Sequence, residues 1–249
     1  MPLNLIEETV FPICHFGMVG ALADAKRLLG SGFFLNHEGL FITAGHVAQA
    51  FGNTRPGIFF KPDPVGDPLL NRVAWVGEFE LGPSDLAVGR VSVGAHTFFD
   101  CVGSVEGMWA DVVACGYAES AVLLGNGRFR SPIRGLKGHV QRTISEGLDD
   151  DLPVAGKVYE LSFPIPKGMS GSPLYRVANN QLQLLGVCVA SRSAEMVDFE
   201  DTTVDDDGRH YSERKVRIEQ YGIATAIETA LDWTPRMLGR PIRELIVAG

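Results

Sequence analysis

The sequence predicts an all-β barrel or sandwich, and three observations lead there. Short apolar runs recur along the chain, such as Leu40-Phe41-Ile42-Thr43 and Val158 to Phe163. Clusters rich in Gly, Pro, Asn and Asp punctuate them, as turns between strands do. Stretches with sustained helical spacing are few and short.

In chain order, Val10 to Gly17 reads as a strand, and Ala21 to Leu29 carries some helical spacing. Phe33-Phe34-Leu35-Asn36 and Leu40-Phe41-Ile42-Thr43 flank His37-Glu38-Gly39, a β-hairpin whose glycine suits a left-handed turn position. His46 to Phe51 predicts one short helical turn. Gly57 to Phe60 and Arg72 to Val76 are short strands among Pro- and Gly-rich loops, and Ser84-Asp85 opens the apolar strand Leu86 to Val91. His96 has no partner motif and reads as a satisfied polar group at the surface. A boundary near Gly103 to Gly107 divides the chain into residues 1–105 and 106–249.

Beyond that boundary Ala110 to Tyr117 is a strand, and Gly125-Asn126-Gly127 is a hairpin turn rather than a phosphate loop, since no Lys-Ser/Thr follows it. Lys137 to Ile144 and Lys157 to Phe163 are strands separated by an acidic loop at Asp149-Asp150-Asp151. Leu182 to Ala190 is almost wholly apolar, as a strand packed on both faces is. Glu195 to Asp207 holds seven acidic residues and no basic one, and reads as an exposed loop. Its Asp205-Asp206-Asp207-Gly208 lacks the ligand spacing and closing glutamate of a calcium loop. Tyr221 to Ala226 is a last strand. A terminal helix is predicted between Pro235 and Val247, weakened by Gly239 and Pro241.

The chemistry concentrates in three short stretches. Lys167-Gly168-Met169-Ser170-Gly171-Ser172-Pro173 sets a serine between two glycines. A serine hydroxyl needs a base to take its proton and backbone N–H groups to hold the oxyanion it creates. Glycines on either side allow a tight turn and close approach to a substrate. Upstream, Phe41-Ile42-Thr43-Ala44-Gly45-His46-Val47 ends a strand on a histidine, and Ser84-Asp85-Leu86-Ala87-Val88 opens one on an aspartate. Taken singly, the serine stretch could be a turn, the histidine a buried hydrogen-bonded one and the aspartate a cap.

Together, in this order, the three resemble the catalytic segments of the trypsin-like (chymotrypsin-fold) serine proteases, closest to the disulfide-free bacterial and organellar stress proteases. The resemblance spans roughly Gly30 to Ala226. It implies two six-stranded antiparallel β-barrels with the active site in the cleft between them and a short C-terminal helix. The first barrel would carry His46 and Asp85, the second Ser170. It further implies Ser170 as nucleophile, His46 as general base and then acid, and Asp85 as the group that orients the imidazole. The amides of Gly168 and Ser170 would form the oxyanion hole. An α/β-hydrolase is excluded by order, because its serine precedes its histidine and sits in Gly-x-Ser-x-Gly. Where relatives made as zymogens carry an aspartate before the serine, this chain has Met169. Activation through an ion pair to a new N-terminus is therefore not expected.

By family position the specificity pocket involves Pro164, at its floor, with Lys167, Ala190, Ser191 and Gly222 on its walls. A floor without a carboxylate offers nothing to offset desolvating a basic side chain. Cleavage after small or medium apolar residues follows. The rival reading is a catalytically silent module of the same fold serving as a scaffold in a larger complex.

Composition narrows the partners. With 22 basic against 30 acidic residues the net charge is −8, which disfavours nucleic acid and anionic membranes. The expected partners are a protein or peptide substrate and a regulatory protein. Cys14, Cys101, Cys115 and Cys188 are scattered without CxxC spacing or paired histidines, so neither a metal nor another cofactor is expected. The first residues lack the basic and apolar regions of a signal peptide, and no apolar run reaches the ~18 residues of a membrane helix. A reducing, cytoplasmic compartment is the expectation.

Overall fold

The computed structural model describes residues 6–19, 22–52, 56–60, 72–93, 97–105, 107–121, 132–145, 156–179, 181–204 and 207–248. A single helical turn, α1 (Ile6–Thr9), leads into six strands: β1 (Val10–Val19), β2 (Leu22–Phe34), β3 (Leu40–Ala44), β4 (Gly57–Phe60), β5 (Arg72–Leu81) and β6 (Leu86–Val91). They close as an antiparallel barrel in the order β1-β2-β3-β6-β5-β4, with Ile13 opposite Ile58 at the join. Phe11 stacks edge-on to Phe41 at 5.5 Å and lies 4.6 Å from Phe34 inside it. Fully burying each such ring contributes roughly 2–3 kcal/mol.

A short strand, β7 (Cys101–Val102), precedes β8 (Asp111–Gly116), β9 (Arg134–Ile144), β10 (Val158–Leu161), β11 (Pro173–Ala178), β12 (Gln181–Val204) and β13 (His210–Ala226). Pairing runs β11-β8-β9-β10-β13-β12, and the additional β11–β12 ladder closes these six into a second ring. β7 lies parallel beside β12, and the terminal β14 (Val247–Ala248) lies parallel beside β7. Tyr159, Leu161, Leu174, Leu185 and Ala224 fill the second interior. The two-barrel all-β architecture implied by the sequence is the one observed.

Three local expectations change. Of the stretch expected to be helical from Ala21 to Leu29, the described part, Leu22 to Leu29, falls in β2: the backbone of β1 satisfies its N–H and C=O groups along a bulged ladder from Val10↔Phe33 to Val19↔Leu22. The terminal helix is replaced by a 3-10 turn over Ile242–Leu245 and by β14, with a separate α-turn, α3 (Glu228–Leu231), just after β13. Gly239 is left-handed (φ 65°) and Pro241 follows it, which ends any continuous helix there. The acidic stretch is exposed as expected, yet it is strand rather than loop: β12 and β13 pair out to Val204↔His210. His96, the Gly125 to Gly127 turn, the loop at Asp149 to Asp151, and Asp205 with Asp206 lie outside the described residues.

All four cysteines are buried and free. Among the described residues no helix is long and apolar enough to cross a membrane, and no three potential ligands gather as a metal site would need.

Candidate active site

β3 carries five consecutive buried residues to Ala44, after which the chain turns into a one-turn helix, α2 (Gly45–Gln49), whose second residue is His46. The turn between β5 and β6 comes up beside it. Ser84 and Asp85 there both hold left-handed backbones (φ 55° and 58°), a conformation that aspartate tolerates better than most residues. The turn is pinned from both barrels: the Gly45 N–H donates to the Asp85 carbonyl at 2.7 Å, and the Thr225 hydroxyl, from β13, donates to the Ser84 carbonyl at 2.8 Å.

The Asp85 carboxylate meets the histidine twice. Oδ1 accepts the His46 backbone N–H at 2.7 Å, and Oδ2 lies 2.7 Å from His46 Nδ1. A carboxylate only accepts, so this contact assigns the ring proton to Nδ1 and leaves Nε2 as an acceptor. The His46 and Asp85 side chains are 46% and 29% exposed, so the imidazole is open to a substrate.

Ser170 sits in a tight turn. The Met169 N–H donates to the Pro166 carbonyl at 2.9 Å, and the Ser172 N–H to the Met169 carbonyl at 3.0 Å. Gly171 holds φ 87°, and a Cβ there would overlap the Ser31 carbonyl and the Thr43 hydroxyl. The serine turn is therefore pressed against the strand that delivers His46. Ser170 Oγ donates to the Val189 carbonyl at 3.4 Å; within the described residues His46 has Asp85 as its side-chain partner, not Ser170.

The amides of Gly168 and Ser170 make no hydrogen bond among the described residues, while those of Met169, Gly171 and Ser172 do. Their orientation has a cause. The Glu119 N–H donates to the Lys167 carbonyl at 2.7 Å, and in a planar trans peptide the Gly168 N–H must then point to the opposite side. An ion pair of Lys167 Nζ with Glu119 at 2.8 Å reinforces that contact. Gly168 holds φ 93°, and a Cβ on it would stand 2.7 Å from the Tyr117 carbonyl and 2.8 Å from the Glu119 nitrogen.

A buried hydroxyl that sequence reasoning missed ties these parts together. Ser31, on β2, is fully buried. Its N–H donates to the Ser170 carbonyl at 2.8 Å and its hydroxyl to the Gly168 carbonyl at 2.9 Å. The same hydroxyl accepts the Tyr117 N–H at 2.9 Å, and its carbonyl accepts the Thr43 hydroxyl at 2.7 Å. The only sequence signal was the Gly30-Ser31-Gly32 spacing.

Of the residues expected around the pocket, Gly222 pairs with Ser191 across β12 and β13, and a Cβ on Gly222 would touch the Phe163 carbonyl and the Ile165 side chain. Pro164 and Ala190 are half-buried in the same region. Lys167 is 82% exposed and engaged with Glu119. Met169 is fully buried in the second barrel's core, among Leu174, Cys188 and Ala224. Burial pushes the thiol of Cys14 up to about 12 and raises that of Cys188 as well. Neither is a nucleophile near neutral pH.

Two antiparallel barrels with an imidazole–carboxylate pair, a serine turn and idle amides at their seam define the chymotrypsin-type class of fold. The model of the trypsin-like peptidase domain matches residues 30–187, and the chain belongs to that family. Solved structures agree on the fold. The protease domain of MamO from Magnetospirillum magneticum is 16% identical with a TM-score of 0.52, over 91% of this chain and 96% of that one. The active form of the Rv3671c protease from M. tuberculosis is 19% identical with a TM-score of 0.56, over 92% and 80%. The HtrA-type protease AlgW, solved with a decapeptide, is 14% identical with a TM-score of 0.54, over 91% and 63%. A search of curated proteins returns no match.

Proposed function

We propose that the chain is a serine endopeptidase in which Ser170 is the nucleophile, His46 the general base and acid, and Asp85 the group holding the imidazole. The observation that carries this reading is the pair of idle amides, Gly168 and Ser170, flanking the serine in a turn pinned to the His46 strand. On substrate binding, Ser170 Oγ rotates from the Val189 carbonyl toward Nε2 of His46 and attacks the scissile carbonyl carbon. His46 takes the hydroxyl proton and delivers it to the departing amine. Water, deprotonated by the same imidazole, then releases the acyl group. The negative oxygen formed at each stage is held by the two amides, each contributing about 3 kcal/mol.

Residues after which cleavage occurs are small or medium apolar ones, a preference supported by the Ile165 side chain beside Gly222 and by a proline rather than a carboxylate at position 164. The four free buried thiols fit a reducing compartment such as the cytoplasm, where a regulatory protein would restrain the enzyme. A fluorophosphonate probe tests the reading. Labelling of the wild type that disappears in Ser170→Ala supports it; an unlabelled wild type, folded by circular dichroism, points to the silent scaffold. A peptide library then reads specificity, and dominant cleavage after arginine or lysine rejects the apolar pocket.

A further inference from the structure

Beyond the second barrel, β12 and β13 leave the body as a two-stranded ribbon. From Ser193↔Gln220 to Val204↔His210 they pair with each other, and their described residues are exposed except for the half-buried Val216. Such a ribbon is marginal in water by itself, and an open strand edge is a template for another backbone.

The outer edge of β12 is continuous with the active site. β11 covers it only as far as Val187, opposite Pro173. From Val189 outward no described strand pairs with it on that side. The open stretch starts at the nucleophile, where the Val189 carbonyl accepts from Ser170 Oγ at 3.4 Å.

The two strands of the ribbon differ in charge. Between Ser193 and Val204 stand Glu195, Asp198, Glu200 and Asp201 without a lysine or arginine, whereas the return strand brings Arg214, Lys215 and Arg217 alongside Glu213 and Glu219. The cross-ribbon ion pairs are long, Arg214 to Glu195 and Arg217 to Asp198 both at 4.0 Å. Glu200 and Asp201 have no ion pair among the described residues. Exposed Met196, Val197 and Phe199 stand among the acids.

We propose that this edge extends the substrate cleft and that its occupant is an unfolded polypeptide segment rich in basic and apolar residues. The proposal rests on the protease reading of Ser170. The segment adds to β12 antiparallel, the pairing β12 already makes with β11 and β13, and the more stable kind. Its scissile bond then lies at Ser170 and the residues before that bond run outward along the ribbon. One-to-one pairing places Glu195 to Asp201 against positions about six to twelve residues upstream of the cut. Main-chain bonds supply affinity, and charge selects the sequence. A second copy fits this edge poorly, because two-fold pairing sets acidic edge against acidic edge.

The test uses the full chain and three peptides sharing one cleavable core: a short one, one with a twelve-residue upstream extension bearing arginines, and one whose extension bears glutamates. The expected result is kcat/KM about 10-fold higher for the basic extension than for the short peptide, chiefly through KM, with no gain for the acidic one. The triple variant Glu195→Lys, Glu200→Lys, Asp201→Lys should lose or invert that preference while cleaving the short peptide and reacting with fluorophosphonate as before. The proposal is overturned if the basic extension gives no gain, if the triple variant keeps the preference, or if it loses the short peptide equally. Fluorescence anisotropy of the basic peptide on Ser170→Ala reads the edge without turnover. Binding without cleavage by the wild type rejects the protease reading alone, whereas absent binding rejects the edge. Self-association abolished by the triple variant assigns the edge to a second copy and likewise overturns the proposal.

Discussion

Ser31→Ala isolates the link between the two barrels. The substitution removes one hydroxyl that donates to the Gly168 carbonyl and accepts the Tyr117 N–H, in a position with no solvent exposure. The void is too small for a water, so both backbone groups are left without a partner. Each orphan costs about 1–3 kcal/mol, and the pair on the order of 3 kcal/mol. For a chain of this size that corresponds to a fall in Tm of about 6–12 °C. The same loss frees the Gly168–Met169 peptide, and with it the neighbouring Gly168 amide, the proposed oxyanion donor. Losing one such donor lowers kcat by about 10²-fold or more with little change in KM. Thermal unfolding by circular dichroism reads the first effect, and the rate of fluorophosphonate labelling reads the second. A variant with unchanged Tm would refute the role of Ser31 in stability. A Tm loss accompanied by a full labelling rate would show that the hole is held by Glu119 alone.

Three further predictions concern Asp85, Ser172 and Cys14. Asp85→Asn cannot hold Nδ1 protonated and should lower kcat by about 10⁴-fold without unfolding the protein; equal activity would remove Asp85 from the mechanism. Ser172 has a buried hydroxyl without a hydrogen-bond partner among the described residues, so Ser172→Ala should leave Tm unchanged or raise it, and a drop of several degrees would reveal a bond that matters. Finally, desolvation raises the Cys14 thiol from 9.0 to about 12. The unfolded chain ionises there first, so native stability is complete below pH 9 and declines between pH 9 and 12. The loss for this one group is about 4 kcal/mol in all. Urea midpoints at pH 8 and 10.5 measure it, and a midpoint that rises with pH would contradict the sign.

The legible parts of this protein were those whose chemistry is local. The strand Leu40–Ala44 and the glycines around Ser170 announce themselves, since a buried strand needs an apolar run and a turn with φ 93° and 87° needs glycine. The misread parts were set by partners distant in sequence. Leu22 to Leu29 joins β2 because β1 supplies its hydrogen bonds. The acidic segment pairs because a mixed-charge strand lies opposite, an arrangement that composition alone describes as unpackable.

By itself the sequence determined the strand-rich character of the chain, the identity of its histidine, aspartate and serine segments, and the absence of a carboxylate just before the serine. Only the tertiary structure decided how those segments meet: the bonds from Ser31 and Thr225 across the barrels, the Glu119 contact that turns the Gly168 amide, and the open edge running from Val189 into the ribbon. The physical reason is that a side chain's type limits which bonds it can form. Its partner is fixed only when barrel closure brings a particular carbonyl within about 3 Å.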